Sequence, residues 1–224
     1  MKWLIDCHHV AVPPLPELPA VRASRPVHNY GPIMDNEEPL VPVAGAIRLH
    51  PVYSWLGFEH SPTVPRVRSG VLERLVRASS RLPADFELVV LDGHRSRAFQ
   101  AELLTYYQAQ TEESLTSQGY VSDPYSDNSV PPHATGGAVD LTLGWRGAVL
   151  GLGTDFDAFS ADAAPAALEN GSGGSARDLR RLLASVLRAE DMVAIDTEWW
   201  HWSYGDQYWA AVSNAPVAVY GEIA

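Results

Sequence analysis

The 224-residue chain is 46% hydrophobic and 19% charged, the balance of a folded globular protein long enough for one ordinary core, and not that of a disordered, collagenous or coiled-coil chain. A formal charge of -11 disfavours a nucleic-acid partner, because no basic stripe is present to displace phosphate counterions. Cys7 is the single cysteine, which excludes an intrachain disulfide and thiolate-rich zinc sites, so any metal would rest on His and carboxylates.

Lys2 is the sole lysine among sixteen basic residues, as expected of a GC-rich, bacterial genome. The first twenty residues carry charges, histidines and prolines and do not form the apolar stretch of a signal peptide. No window approaches the roughly 20 apolar residues of a membrane span. Together these point to a cytoplasmic protein.

Residues 1–29 read as a loop-rich arm, and prolines and short apolar pieces continue to about residue 66. From Ser61 and Thr63, taken as caps, the spacing of Val67, Val71, Leu72, Leu75 and Val76 predicts a helix ending before Pro83. Phe86 to Leu91 is a buried strand closed by Asp92-Gly93, which leaves Arg95 just beyond a strand end. Residues 96–114 form an amphipathic helix with Phe99, Leu103, Leu104 and Tyr107 inward. After a polar loop (115–132), Ala138 to Leu143 is a strand preceded by Gly136-Gly137. Residues 160–175, with Asn170-Gly-Ser-Gly-Gly-Ser175, are a flexible loop. Residues 176–191 are a helix with Leu179, Leu182, Leu183, Val186 and Leu187 as its stripe, Arg180 and Arg181 falling on a solvated face. Met192 to Ile195 is a strand leading into Glu198-Trp199-Trp200-His201-Trp202. The order gives one α+β domain over 1–224, with a small, mainly antiparallel sheet flanked by helices.

His133 and Asp140 stand seven residues apart across a glycine turn, with the aspartate inside an apolar strand where an unpaired charge is costly. A metal would supply its partner. His201 adds a third ligand and Glu198, three residues earlier, a spare carboxylate. Two imidazoles and one carboxylate suit a single zinc in a cleft, and three protein ligands leave the fourth position that distinguishes a catalytic site from a structural one. Glu198 is then the base. A regular strand would send residues 198 and 201 to opposite faces, so the segment must bend, bulge or end there. Cys7-His8-His9 lacks an evident third partner, and Trp199, Trp200 and Trp202 suit core and pocket wall better than a stacking surface.

His-x6-Asp followed by Glu-x-x-His resembles the zinc peptidases that include the VanX-type D-alanyl-D-alanine dipeptidases and the D,D-carboxypeptidases. Asp92-Gly93-His94-Arg95 resembles the dipeptidases' Asp-Gly-Tyr-Arg turn, Leu152-Gly-Thr-Asp-Phe-Asp157 their Met-Gly-x-x-Phe-Asp segment, and Glu198-Trp-Trp-His201 their Glu-Trp-Trp-His. The resemblance spans about residues 30–204. It implies a metallopeptidase of small dipeptides, one Zn2+ per chain on His133, Asp140 and His201, with cell-wall peptides as the substrate class. By it Glu198 moves protons, Arg95 stabilises the oxyanion, Asp157 faces the substrate ammonium, and Tyr30 lies near the substrate. Pro131-Pro132-His133 replaces the family's Ser-x-His, and His94 its tyrosine. Three other readings are a D,D-carboxypeptidase acting on peptidoglycan stems, which Asp157 disfavours, a zinc-binding protein without hydrolysis, which Glu198 and Arg95 together disfavour, and a globular domain without metal, which would make every matched segment a coincidence.

Overall fold

The computed structural model describes residues 2–23, 27, 30–45, 47–126, 128–171 and 174–223. Its central strand is β6 (Ala138–Trp145), whose eight residues are all buried. Strand β5 (Phe86–Asp92) runs antiparallel to it on one side. The other side is shared by two shorter antiparallel strands, β7 (Ala148–Gly151) beside the C-terminal half of β6 and β9 (His201–Ser203) beside its N-terminal half. This division of one edge places the start of β6 against the segment that follows Glu198.

The remaining strands make the sheet mixed: among the described residues four of its six pairings are antiparallel, as the sequence led one to expect, and two parallel edges qualify that expectation. Strand β1 (Ile5–Asp6) is parallel to β7, and β3 (Arg48–Leu49) is parallel to β5, while β8 (Val193–Ala194) is antiparallel to β9. Both parallel edges come from the proline-rich N-terminal third. The chain between β3 and β5 folds back through helices α1 (Val52–Leu56) and α2 (Ser69–Ser80), the crossover that a parallel pair requires.

A separate two-stranded ladder joins β2 (Leu40–Pro42) to β4 (Arg66–Arg68). It overturns the expected start of the helix near Ser61. Val67 is fully buried opposite Val41, and the helix begins only at Ser69. Pro62 and Pro65 restrict the residues before them to extended backbone, which hands Arg66, Val67 and Arg68 to β2.

Helix α3 (Arg97–Gln108) starts where Ser96 caps the Phe99 amide at 3.2 Å. Helix α4 (Ser175–Arg188) buries the expected leucine and valine stripe and packs on α2 and β6. Arg180 is also buried, contrary to the solvated face expected for it: it binds the carbonyls of Leu152, Ala164 and Asp162 and so ties the 152–164 loop to the helix. Within the segment expected to be flexible, Ala161–Ala163 is a short 3-10 turn, and Ser172 and Gly173 lie outside the described residues. Helix α5 (Gln207–Ser213) is capped by Asp206. Among the described residues no helix is long and apolar enough to cross a membrane.

Candidate active site

His133 sits on a 3-10 turn, Pro132–Thr135, closed by Gly136 at φ 71°. Glycine is needed there, since that backbone is strained for other residues and a Cβ would meet Leu40 Cδ1 at 2.8 Å. The turn delivers the chain into β6, where Asp140 pairs in register with His201 of β9. Three donor atoms then converge: His133 Nε2 lies 3.1 Å from His201 Nδ1 and 3.3 Å from Asp140 Oδ1, which is 3.2 Å from His201 Nδ1. All three residues are buried.

The protonation pattern turns these atoms toward one another as electron-pair donors. His133 Nδ1 lies 2.7 Å from the Gly93 carbonyl, which can only accept, so Nδ1 carries the hydrogen and Nε2 presents its lone pair. Burial, together with the nearby Arg95 charge, pushes His133 down to about 4. For Asp140, burial opposes ionisation, but the Arg95 guanidinium bonded to its other oxygen favours the charged form, and the carboxyl is held well below the usual range. Its Oδ1 is nevertheless buried without a hydrogen-bond donor. Bonds of about 2.0–2.2 Å in tetrahedral geometry put neighbouring ligands about 3.3–3.6 Å apart. The observed triangle, with edges of 3.1, 3.2 and 3.3 Å, is one face of such a tetrahedron slightly contracted, and the donor set suits a zinc ion with one position left over.

Beside this triangle lies an inner pocket of only about 20 Å³, lined by Arg95, Asp157, Glu198, Tyr53, Tyr107 and Trp200 among others. Arg95 is held at both ends of its guanidinium: Nε donates to Asp92 Oδ2 and Nη2 to Asp140 Oδ2, each at 2.5 Å. Its backbone N–H donates to the His133 carbonyl at 3.2 Å, so the strand-end turn and the histidine turn are fixed to each other. Burial pushes Asp92 up to about 6 against the pull of Arg95.

Glu198 ends no strand. The chain bends through residues 196–200 and β9 begins only at His201, which resolves the facing problem set by the spacing. Trp202 Nε1 donates to the Trp199 carbonyl at 3.1 Å and Trp199 Nε1 to Thr154 Oγ1 at 2.8 Å, locking the bend. The buried Glu198 carboxyl has no hydrogen bond or ion pair among the described residues. Burial, reinforced by Asp140 and Asp157, raises it well above the usual carboxylate range.

Asp157 has a left-handed backbone, φ 56°, and its Oδ2 accepts from Tyr53 at 2.8 Å and Tyr107 at 2.5 Å. Burial pushes it up to about 7, while the Tyr107 hydrogen bond and Arg95 pull the other way. Tyr53 and Tyr107 carry no motif that sequence reasoning could use; only the folding of α1 and α3 onto the 152–160 loop brings them here. Asp92 is given no role by the sequence reading; its place three residues before Arg95, in the Asp-Gly-His-Arg turn, is the signal that could have found it.

Tyr30 does not line the inner pocket. It faces an outer hollow of about 490 Å³ with Pro131, Pro132, Asp196 and Thr197, and Val121 lines both spaces. His94 points elsewhere, into a surface groove with Arg66 and His60. Asp6, Cys7 and His8 also bring ligand atoms within 4.8 Å of one another, though Asp6 Oδ1 is engaged by the His8 amide.

The family model described as D-ala-D-ala dipeptidase matches residues 68–218. A D-alanyl-D-alanine dipeptidase of Synechocystis sp. is 28% identical over 234 residues, covering 86% of this chain and 94% of its own. Among solved structures, a Zn(II) complex of the vancomycin-resistance D,D-pentapeptidase VanY from a VanB-type cassette aligns at 17% identity over 65% of this chain and 76% of its own, with a TM-score of 0.37. That likeness is too distant to carry argument. The family match takes in more than half of the chain and includes Arg95, His133, Asp140, Asp157, Glu198 and His201, so the chain belongs to the D-ala-D-ala dipeptidase family and is a metallopeptidase of that type.

Proposed function

We propose that this enzyme hydrolyses free dipeptides of the D-Ala-D-Ala kind, using one zinc held by His133, Asp140 and His201. The observation that carries the reading is the convergence, in one buried site, of a three-donor triangle with Glu198, Arg95 and Asp157, which line the pocket beside it. Zinc, when bound, supplies the polarisation that brings a water within reach of deprotonation near neutral pH.

Glu198 takes the proton of the attacking water and returns it to the leaving amine. A carboxyl whose affinity for protons is raised by burial is suited to both halves of that task. Arg95, preset by Asp92 and Asp140, directs its donors at the carbonyl oxygen as charge develops there. Asp157 pairs with the substrate ammonium, which favours dipeptides over longer stem peptides whose corresponding nitrogen is acylated. The D,D preference is carried over from the family and its relatives.

The test combines metal content with substrate length. Wild type should hold one zinc per chain, His133→Ala and His201→Ala should lose it, and Glu198→Ala should keep it while losing most activity. Free D-Ala-D-Ala should be cleaved, and L-Ala-L-Ala and N-acetyl-D-Ala-D-Ala hardly at all. Equal rates on the free and acetylated peptides would move the enzyme to the carboxypeptidase reading.

A further inference from the structure

We infer that Tyr53 and Tyr107 are positioning residues that clamp one oxygen of Asp157 so that the other faces the inner pocket, and that Tyr53 also ties this end of the pocket to Arg95. The inference rests on the reading of Asp157 as the ammonium acceptor and names what makes that carboxylate selective.

Three elements far apart in sequence meet at one atom. Tyr53 comes from α1, Tyr107 from the last turn of α3, and Asp157 from the loop after β7, yet both phenol hydroxyls donate to the same Oδ2. Oδ1 has no hydrogen-bond partner among the described residues. A carboxylate with one donor could turn about its Cβ–Cγ bond and exchange its oxygens. Two donors on one oxygen remove that freedom, and the left-handed backbone of Asp157 is the kind of local strain that persists where side-chain contacts over-determine it.

The rings are seated independently of their hydroxyls. Tyr53 packs against Phe58, Phe99 and Phe156 with centroids 5.5–5.8 Å apart, and Tyr107 lies 5.0 Å from both Tyr106 and Phe159. The hydroxyls are therefore not needed to fill the core, and their shared acceptor is what they add.

The two tyrosines differ in reach. Among the described residues the Tyr107 hydroxyl bonds only Asp157. Tyr53 donates its one hydrogen to Asp157 and keeps lone pairs, and Arg95 Nη2 lies 3.5 Å from its oxygen with the guanidinium 5.2 Å from its ring centre. Tyr53 thus spans the distance between the group that takes the ammonium and the group that takes the oxyanion. The charged and titratable groups facing Asp157 are Tyr53 on α1, Tyr107 on α3, Arg95 after β5, Asp140 on β6 and Glu198 before β9. Arg95 and the two hydroxyls favour its charged form; Asp140 and Glu198 oppose it.

The experiment compares D-Ala-D-Ala with propionyl-D-alanine, which lacks only the amino group, on zinc-loaded full-length wild type, Tyr107→Phe and Tyr53→Phe, with folding checked by circular dichroism. Tyr107→Phe should cut the preference for the free dipeptide by about tenfold, chiefly through KM, the loss expected for one charge-assisted hydrogen bond. The acid limb of its kcat/KM profile for D-Ala-D-Ala should also move to higher pH. Tyr53→Phe should reduce the same preference and in addition lower kcat on both substrates, because Arg95 loses a neighbour. Should Tyr107→Phe not fold, Tyr53→Phe carries the same preference test. An unchanged preference in the folded variants, or an equal loss on both substrates in Tyr107→Phe, overturns the clamp while leaving Asp157 as ammonium acceptor, provided wild type prefers the free dipeptide and Asp157→Asn abolishes that preference. A wild type with no preference overturns the acceptor reading itself, and the clamp with it.

Discussion

Two buried arginines flank the turn that carries His133, and they are treated in opposite ways. Arg68 is paired on every side: Nε donates to the Thr135 carbonyl at 2.8 Å, Nη1 to the Glu38 carbonyl at 2.6 Å, and Nη2 to Asp35 at 2.8 Å and the Gly221 carbonyl at 3.0 Å. Next to it Glu38 accepts from Tyr220 at 2.7 Å and from the Gly70 amide at 2.8 Å. Arg95 instead stands among Asp92, Asp140, Asp157 and Glu198, with the Asp140 Oδ1 unpartnered. A buried polar group without a partner costs stability. Negative charge in excess around one guanidinium suits a place where cations arrive, and in the proposed reading two do: the metal at Asp140 and the ammonium at Asp157. The closed cluster builds the fold; the open one, on the proposed reading, is set aside for ligands.

If this contrast is right, substitutions at the two arginines separate stability from turnover. Arg68→Ala leaves Asp35 and three carbonyls without their buried donor and should lower unfolding free energy by about 3–5 kcal/mol, read from urea denaturation. Where the variant is still folded, kcat should stay near that of wild type. Arg95→Lys keeps a charge but loses the planar fork that reaches Asp92 and Asp140 together. It should lower kcat by about 10²-fold, the cost of one oxyanion donor, with a smaller loss of stability than Arg68→Ala. A large turnover loss in folded Arg68→Ala, or an Arg95→Lys enzyme of near-normal kcat, would dissolve the distinction.

The two clusters were not equally legible in the sequence. The convergence of His133, Asp140 and His201 could be read because metal chemistry restricts residue type and the motif fixes spacing, and the β6–β9 register then brings His201 to Asp140, sixty-one residues before it. Asp157 was read from its own short segment. What holds these residues is less visible. Tyr53 and Tyr107 belong to helices whose rings read as ordinary core, and their hydroxyls acquire a shared acceptor only through tertiary folding. Arg68 was hidden by the assignment of Val67 to a helix: an isolated three-residue strand running straight into α2, with no side-chain cap at the junction, has no periodic signal. The parallel edges β1 and β3 are two residues each, too short to announce themselves, and their pairing depends on distant strands.

The smallest expected effect bears most directly on the idea that the open cluster gives up stability for function. Asp157 is buried and its folded-state pKa is pushed up to about 7, first by burial, whereas an unfolded aspartate titrates near 3.9. Between those values the folded protein holds a proton that the unfolded chain releases, so this group's contribution to stability declines as pH rises through the window and is lowest above about 7. An asparagine in its place would carry no charge at any pH, and its amide oxygen can still accept from Tyr53 and Tyr107. In the metal-free protein, Asp157→Asn should therefore raise unfolding free energy at about pH 8 by on the order of 1–3 kcal/mol. The gain should shrink steadily toward about pH 4, where the wild-type carboxyl is itself neutral in the fold. Urea titrations at the two ends of that range read both the size and the slope. A variant less stable than wild type at about pH 8, or a gain that does not change with pH, would mean that the Asp157 carboxylate is fully compensated by its tyrosines and Arg95, and that it belongs with Arg68 among the groups that hold the fold.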